Sequence, residues 1–292
     1  MRIINLFGSV VLMASAVAAQ SVTELLPGTL KAWQEYLRSA DARMQARLDA
    51  RRPFLWIDES PDLRPRVRRG EVVVAPVVGH GTQSVPNGLI HDWIGAVFIP
   101  HATIEGLFRV VHDYTHYKDF YKPVVADSKV LVCRDAEQEV SMVWQRHILF
   151  INAALESHYR AHEFAIDRRH GYNVADTTQI RQIEGYGQAG QHLLPPDTGS
   201  GLIWRLHSIT RYEERDGGVY LELEGIALTR DIPASLRWLL CPLVNHLSTN
   251  ALATTLRQTR DAVNSLSPGV EGLALCPGRT CKAANTKTGG EE

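Results

Sequence analysis

The chain has 292 residues, 45% of them hydrophobic and 22% charged, with a formal net charge of −1. That length fits one large or two ordinary domains, and the composition excludes a disordered or fibrous protein. A near-neutral balance leaves no electrostatic footprint for nucleic acid.

The first twenty residues read "MRIINLFGSVVLMASAVAAQ". Arg2 supplies a positive start, Ile3 to Met13 are mostly apolar, and Ala16-Val17-Ala18 or Val17-Ala18-Ala19 offers small residues for cleavage. These are the three parts of a secretory signal peptide, and the apolar run is shorter than the roughly 20 residues of a membrane span. The expectation is a signal over 1–19 and an exported chain, periplasmic or secreted. Export permits disulfides. Cys276 and Cys281 flank "PGRT" and can close a small loop, whereas Cys133 and Cys241 fall in core elements, either bonded or as buried thiols.

Next, "LKAWQEYLRSADARMQARLDARR" spaces Leu30, Trp33, Leu37, Met44 and Leu48 as an amphipathic helix that Pro53 ends. An arm rich in Pro, Gly and Arg follows to residue 87, with one strand-like run, "EVVVAPVV". Within it, "RPRVRRG" holds Arg64, Arg66, Arg68 and Arg69, which reads as a solvated segment; the alternative is a patch for a membrane surface or a partner.

From residue 88 the texture changes. "GLIHDWIGAVFIP" is strand-like, "ATIEGLFRVVHDY" is a short helix with Ile104, Leu107, Phe108 and Val111 on one face, and "HYKDFY" is a second helical turn before Pro123. Six strand runs follow, at about 124–134, 137–151, 155–168, 175–186, 201–214 and 218–230. A long helix then spans "DIPASLRWLLCPLVNHLSTNALATTLRQTRDAV", with Asp231 as its expected N-cap and a kink at Pro242. Residues 265–292 read as a disordered tail.

Consecutive strands with short turns make an antiparallel meander, and the long helix is available to cover one face. Leu236, Leu239, Leu240, Leu243, Val244, Leu247, Leu252, Leu256 and Val263 supply its apolar stripe. In the last hairpin, turning at Asp216-Gly217, one parity gives Trp204, Leu206, Ser208, Thr210 and Tyr212 with Val219, Leu221, Leu223, Gly225 and Ala227. The other gives Arg205, His207, Arg211 and Glu213 with Glu222 and Glu224, and sets Arg211 opposite Glu222. That charged ladder reads as a solvated outer face.

The order β-α-α-β6-α resembles the helix-grip superfamily: START lipid-transfer domains, plant pollen-allergen proteins, aromatic polyketide cyclases and coenzyme-Q-binding proteins. The segment "IPHATIEGLFRVVHDYTHYKDFYKPVVADSKVL" carries the likeness. Asp113, Tyr114, Tyr117, Phe120 and Pro123 stand where the superfamily has a D-Y-x-x-Y-x-x-F-x-P-like stretch, with one extra residue before the proline. "GGVYLELEGIALTRDIP" is similar to the last strand and helix entry of exported bacterial START-like proteins. The resemblance covers 88–264 and leaves 20–87 outside. It implies an α+β fold in which a curved, seven-stranded antiparallel sheet wraps around the C-terminal helix. It also implies a cavity for a hydrophobic small molecule such as a lipid, quinone or aromatic polyketide, with no cofactor. The candidate contacts are Trp144, Tyr159, Trp204, Leu206, Tyr212 and Leu223 from the sheet, with Trp238 and Leu239 from the helix.

Two other chemistries compete. His112 and His116 are four apart, but they fall where one helix ends and another begins, and no third ligand accompanies them, so no metal is expected. His158 and His162 are two pleats apart on a strand, roughly 13 Å, too far for one ion. The sequence has no G-x-S-x-G, P-loop or G-x-G-x-x-G. Glu163 and Asp167 share strand parity and could do acid–base work, but near a strand end they read as solvated carboxylates. Binding is therefore expected ahead of catalysis. A cyclase- or hydrolase-type enzyme using Tyr159, Ser208 and Thr210 is the alternative, and a partner-binding module built on the N-terminal helix and arginine arm is the third reading.

Overall fold

The computed structural model describes residues 22–134, 137–148 and 151–266. The signal segment, Cys276, Cys281 and the tail beyond 266 lie outside the described residues. Helix α1 (Pro27–Leu48) and the short α2 (Leu63–Arg68) precede two short strands, β1 (Val73–Pro76) and β2 (Thr82–Val85). Then come β3 (Gly88–Pro100), α3 (Ile104–Val111), a 3-10 turn at Tyr114–His116, and α4 (Tyr117–Phe120). Six long strands follow: β4 (Val125–Arg134), β5 (Glu137–Ile148), β6 (Ile151–Ala165), β7 (His170–Glu184), β8 (Arg205–Arg215) and β9 (Gly218–Arg230). Helix α5 (Ala234–Ser265) closes the described chain.

The long strands make one antiparallel sheet in the order β1-β3-β9-β8-β7-β6-β5-β4, with β2 also on β3. This is the helix-grip order. The sheet has ten strands, more than the seven expected, because β1, β2 and a two-residue strand at His192–Leu193 join it. The final hairpin has the expected register, Arg211 opposite Glu222, around a turn with Asp216 at φ 58° and Gly217 at φ 79°. Positive φ at both central residues matches the twist of the flanking strands. The third run begins earlier than alternation indicated, since "INAALE" is part of β6 and not a separator.

Helix α5 packs chiefly on β3, and Leu252, Leu256, Ala262 and Val263 join Val97, Ile99, Leu221 and Tyr212 in the largest core. Thr103, at the expected start of α3, caps it by accepting from Gly106 N at 3.1 Å, as its short polar side chain suits. Pro233 is the N-cap of α5, replacing the expected Asp231, and Pro242 lies inside the helix.

The largest correction concerns the other face. The charged parity of β8 and β9 is covered, with Arg211 1%, Glu222 0% and Glu224 4% exposed. Helix α1 lies across it, burying Trp33, Tyr36 and Ala40 against Ile90, Ile226 and Leu228. Leu55, Ile57 and Val67 extend the cover over Ala96, Phe98 and Tyr220. Strand β3, buried along nearly its whole length, is therefore covered on both faces and mostly apolar, with His91 and Asp92 as its buried polar residues. The buried charges are paired with one another, apart from Asp92 Oδ1 and Arg43 Nε, which have no hydrogen-bond partner among the described residues. Arg211 Nε donates to Glu222 at 3.1 Å and both Nη atoms to Glu224 at 3.3 Å. Glu222 also accepts from the backbone N–H of Trp56 and Ile57, each at 2.9 Å. Arg43, from α1, bridges Glu224 at 3.0 Å and Asp92 at 2.8 Å, and Tyr36 OH donates to Asp92 at 2.7 Å.

Three of the four arginines of the arm are also paired. Arg64 faces Asp58 at 3.8 Å, Arg68 faces Asp216 at 3.1 Å, and Arg66 pairs with Glu71. Among the described residues no helix is long and apolar enough to cross a membrane. Cys241 is a free thiol and so is not bonded to Cys133.

Candidate functional site: the sheet face beneath the C-terminal helix

The pairing registers set residues of four strands in rows on the sheet face that α5 packs against, with Gly225 of β9 nearest Leu252 of the helix. One row runs Gly225, Ser208, Ala175, Ala161 from β9 to β6. Its neighbours run Leu223, Thr210, Asn173, Glu163 and Ala227, Leu206, with Thr177 and Tyr159. The central row carries nothing larger than a serine. A Cβ built at Gly225 would meet a single atom, Leu252 Cδ1, at 4.0 Å. A trough of small residues therefore crosses the middle of the sheet.

The helix-facing positions along β8 and β9 are left partly exposed. Along β9 the outward positions 222, 224, 226 and 228 are buried, while the helix-facing 223, 225, 227 and 229 are half-buried. Strand β8 repeats this, with 207, 209 and 211 buried and 206, 208 and 210 half-buried. Close-packed interiors show the reverse, with the covered middle of a sheet sealed on its core side. Ser208 and Thr210 leave their hydroxyls on the trough floor without a hydrogen bond to the described residues.

The two ends of the trough differ. Toward α3, Glu163 accepts from Tyr212 OH at 2.5 Å and Asn173 Nδ2 at 3.2 Å and lies 3.0 Å from His112 Nε2. Glu163 is thus a clamp joining α3 to the sheet, not the solvated carboxylate expected. Burial, followed by the charge of Glu163, pushes the Tyr212 phenol far above its usual range. Asp167 is the exposed partner of that pair, accepting from the N–H of Arg169 and His170 at 2.6 and 2.9 Å. His116 turns away from His112, to Asp113 at 2.8 Å, and among the described residues no group of three His, Cys, Asp or Glu can hold a metal ion.

At the other end Tyr114, Val140, Met142 and Tyr159 form a small cluster, with Tyr117, Val130, Trp144 and Leu206 against it. Trp144 and Tyr159 stand 6.3 Å apart by ring centroid. Burial pushes the Tyr159 phenol well up, and the nearby Ser157 and Trp144 moderate that rise. Ser157 and Trp144 approach the phenol only as weak hydrogen-bonding neighbours, and Tyr159 OH, Ser157 Oγ and Trp144 Nε1 are buried with no partner in full hydrogen-bond geometry among the described residues.

Of the eight residues read from sequence, Trp144, Tyr159, Leu206 and Leu223 lie on this face, and Tyr212 lies there too but is spent on the Glu163 clamp. Trp204 does not. It precedes β8, so strand alternation does not govern it, and its ring packs under α1 on the opposite face. Trp238 is 77% exposed on the first turns of α5, whose second half does the covering. The Leu239 side chain lies outside the described residues. Ser157, Gly225, Ala175 and Ala161 were missed; a run of small residues on successive strands aligns only once the registers are known.

Comparison with protein-family models and with curated proteins finds no match. Solved structures do match. A protein of Thermus thermophilus is 14% identical, covering 59% of this chain and 96% of its own, at a TM-score of 0.43. A STAR-related lipid transfer protein from Xanthomonas axonopodis is 17% identical, covering 66% and 99%, at 0.42. The Zhui aromatase/cyclase from Streptomyces is 15% identical, covering 60% and 97%, at 0.38. Likeness at this level adds nothing to what the strand order itself establishes.

Proposed function

We propose that the protein is a binding or carrier protein for an apolar small molecule, held in the trough between the sheet and α5. The observation that carries this reading is the inverted burial of β8 and β9. Their helix-facing positions are open while their charged positions are sealed. A concave, mostly apolar space with a few polar groups is where small ligands bind. Lipids, quinones and aromatic polyketides are the classes to test. The three-part leader over 1–19 supports export of the carrier. Carriage is favoured over catalysis by the Glu163 clamp, since its carboxylate is engaged by His112, Tyr212 and Asn173 and is not free to act as a base.

A thermal-shift panel of those three classes tests the proposal. Ligand at a hundredfold its dissociation constant stabilises by about 2.7 kcal/mol, enough to raise the melting temperature by a few degrees. Leu223→Trp should remove the shift by filling the trough. Flat melting curves across the panel would leave the trough without a role.

A further inference from the structure

The cluster at the β5–β6 end of the trough has a chemical polarity of its own. Ser128, Trp144, Ser157 and Tyr159 share the helix-facing side of three adjacent strands, since Ser128 pairs with Met142 and Met142 with Ser157. Each has a buried side-chain polar atom without a hydrogen-bond partner. Ser157 and Ser128 are 0% and 5% exposed, Tyr159 8%. Buried polar groups are nearly always satisfied, so four in one patch require an explanation. Resting strain is a poor one, because replacing any of them by an apolar side chain would remove the cost.

The donor set says what is missing. An indole N–H donates and cannot accept, and a phenol can donate as well, so one acceptor placed between Trp144 and Tyr159 would satisfy both. Tyr159, held protonated by its burial, remains a donor. Among the described residues no charged side chain acts on the Tyr159 phenol, whose rise comes from burial and is countered only by Ser157 and Trp144, so a carboxylate or phosphate brought here would be buried without a counter-charge. A neutral acceptor fits. The patch adjoins the trough: Leu206 belongs to the same cluster, and Thr177 Oγ1, opposite Tyr159, donates to the Leu206 carbonyl at 3.1 Å. From Gly225 on β9 to Tyr159 on β6 is three strand spacings, about 14 Å.

Resting on the carrier reading, we infer that the ligand is a neutral carbonyl compound (a ketone, quinone or ester). Its apolar body lies along the Gly225–Ser208–Ala175–Ala161 trough, and its oxygen accepts from Trp144 Nε1 and Tyr159 OH. The hydroxyls of Ser157 and Ser128 supply further donors around that oxygen.

Three probes of similar shape separate the chemistries: benzophenone with a carbonyl, diphenylmethane without one, and diphenylacetate with a charge. Their affinities are read by displacement of the neutral dye N-phenyl-1-naphthylamine. The Trp144 indole N–H is followed by proton–nitrogen NMR and assigned with Trp144→Phe. Benzophenone should bind at least tenfold tighter than either of the others and shift the Trp144 N–H resonance. In the Trp144→Phe/Tyr159→Phe double variant the advantage over diphenylmethane should disappear while diphenylmethane itself binds unchanged. Tyr159→Phe alone removes an unpartnered hydroxyl and should not lower the melting temperature, which keeps the test on folded protein. Equal affinity for benzophenone and diphenylmethane, tighter binding of diphenylacetate, or a ketone preference that survives the double variant overturns the carbonyl assignment while leaving the carrier reading standing. Failure of all three probes and of the dye to bind overturns both.

Discussion

At the scale of single residues, the decisive feature is the group of charges sealed between α1 and the sheet. Three carboxylates, Asp92, Glu222 and Glu224, meet two guanidiniums, Arg43 and Arg211, all within hydrogen-bonding reach. Removing one member leaves its partners buried and uncompensated. Arg211→Ala should therefore cost about 3–5 kcal/mol, read from the urea midpoint, whereas an exposed ion pair is worth about 1 kcal/mol or less. A loss under 1 kcal/mol would mean that the face is wet in solution. The excess carboxylate also titrates. Burial, then the field of Glu224, pushes Asp92 up to about 6 against the pull of Tyr36 and Arg43, and its Oδ1 is buried without a partner. Burial pushes Glu224 up too, but Arg211 and Arg43 hold it below its ordinary value. The sign follows from linkage: a carboxyl raised in the folded state binds its proton more tightly there than in the unfolded chain. Its stabilisation is fully present below the unfolded value of about 3.9 and is lost as pH rises through about 6. Asp92→Asn should consequently gain on the wild type between pH 4 and 7 in urea titrations. A stability difference that is flat with pH would assign the proton elsewhere.

At the scale of elements, alternation and helical spacing were legible and pairing across the faces was not. The strand runs read from sequence fall close to β4–β9, and the final hairpin's register follows from Asp216-Gly217 alone. The charged ladder misled because alternate charges on a strand have two physical solutions, water or a second buried layer of opposite charge. The signal that separates them was present. The same parity carries Ile209, Tyr220, Ile226 and Leu228, which a solvated face does not need, and α1 offers Trp33, Tyr36, Ala40 and Met44 at the spacing of one stripe. Trp204 was misplaced for a related reason, since strand parity was extended one residue beyond the strand. Within β9, Gly225 yields a direct prediction. With open space where its Cβ would go, Gly225→Ala should stabilise by about 0.5–1 kcal/mol, the usual cost of glycine inside a strand. Destabilisation would show that the trough is closed at that point.

For the molecule as a whole, the sheet is covered from both sides by elements of different character. Helix α1 and the segment around Leu55–Val67 seal one face with a cluster of paired charges and apolar packing, so residues 27–85 act as part of the scaffold. Helix α5 covers the other face only in part, leaving its first turns and Trp238 outside and a trough of small residues beneath its middle. The first cover seals its face, and the second leaves its face partly open. The measurement that tests this division most directly is titration of the protein with N-phenyl-1-naphthylamine, comparing the wild type with Gly225→Leu. The wild type should give a saturable, one-to-one rise in dye fluorescence. Gly225→Leu, filling the trough at a position where only Leu252 stands near, should abolish that rise while its circular dichroism and melting temperature remain those of a folded protein. Undiminished dye binding in a folded Gly225→Leu variant would contradict the placement of the ligand beneath α5.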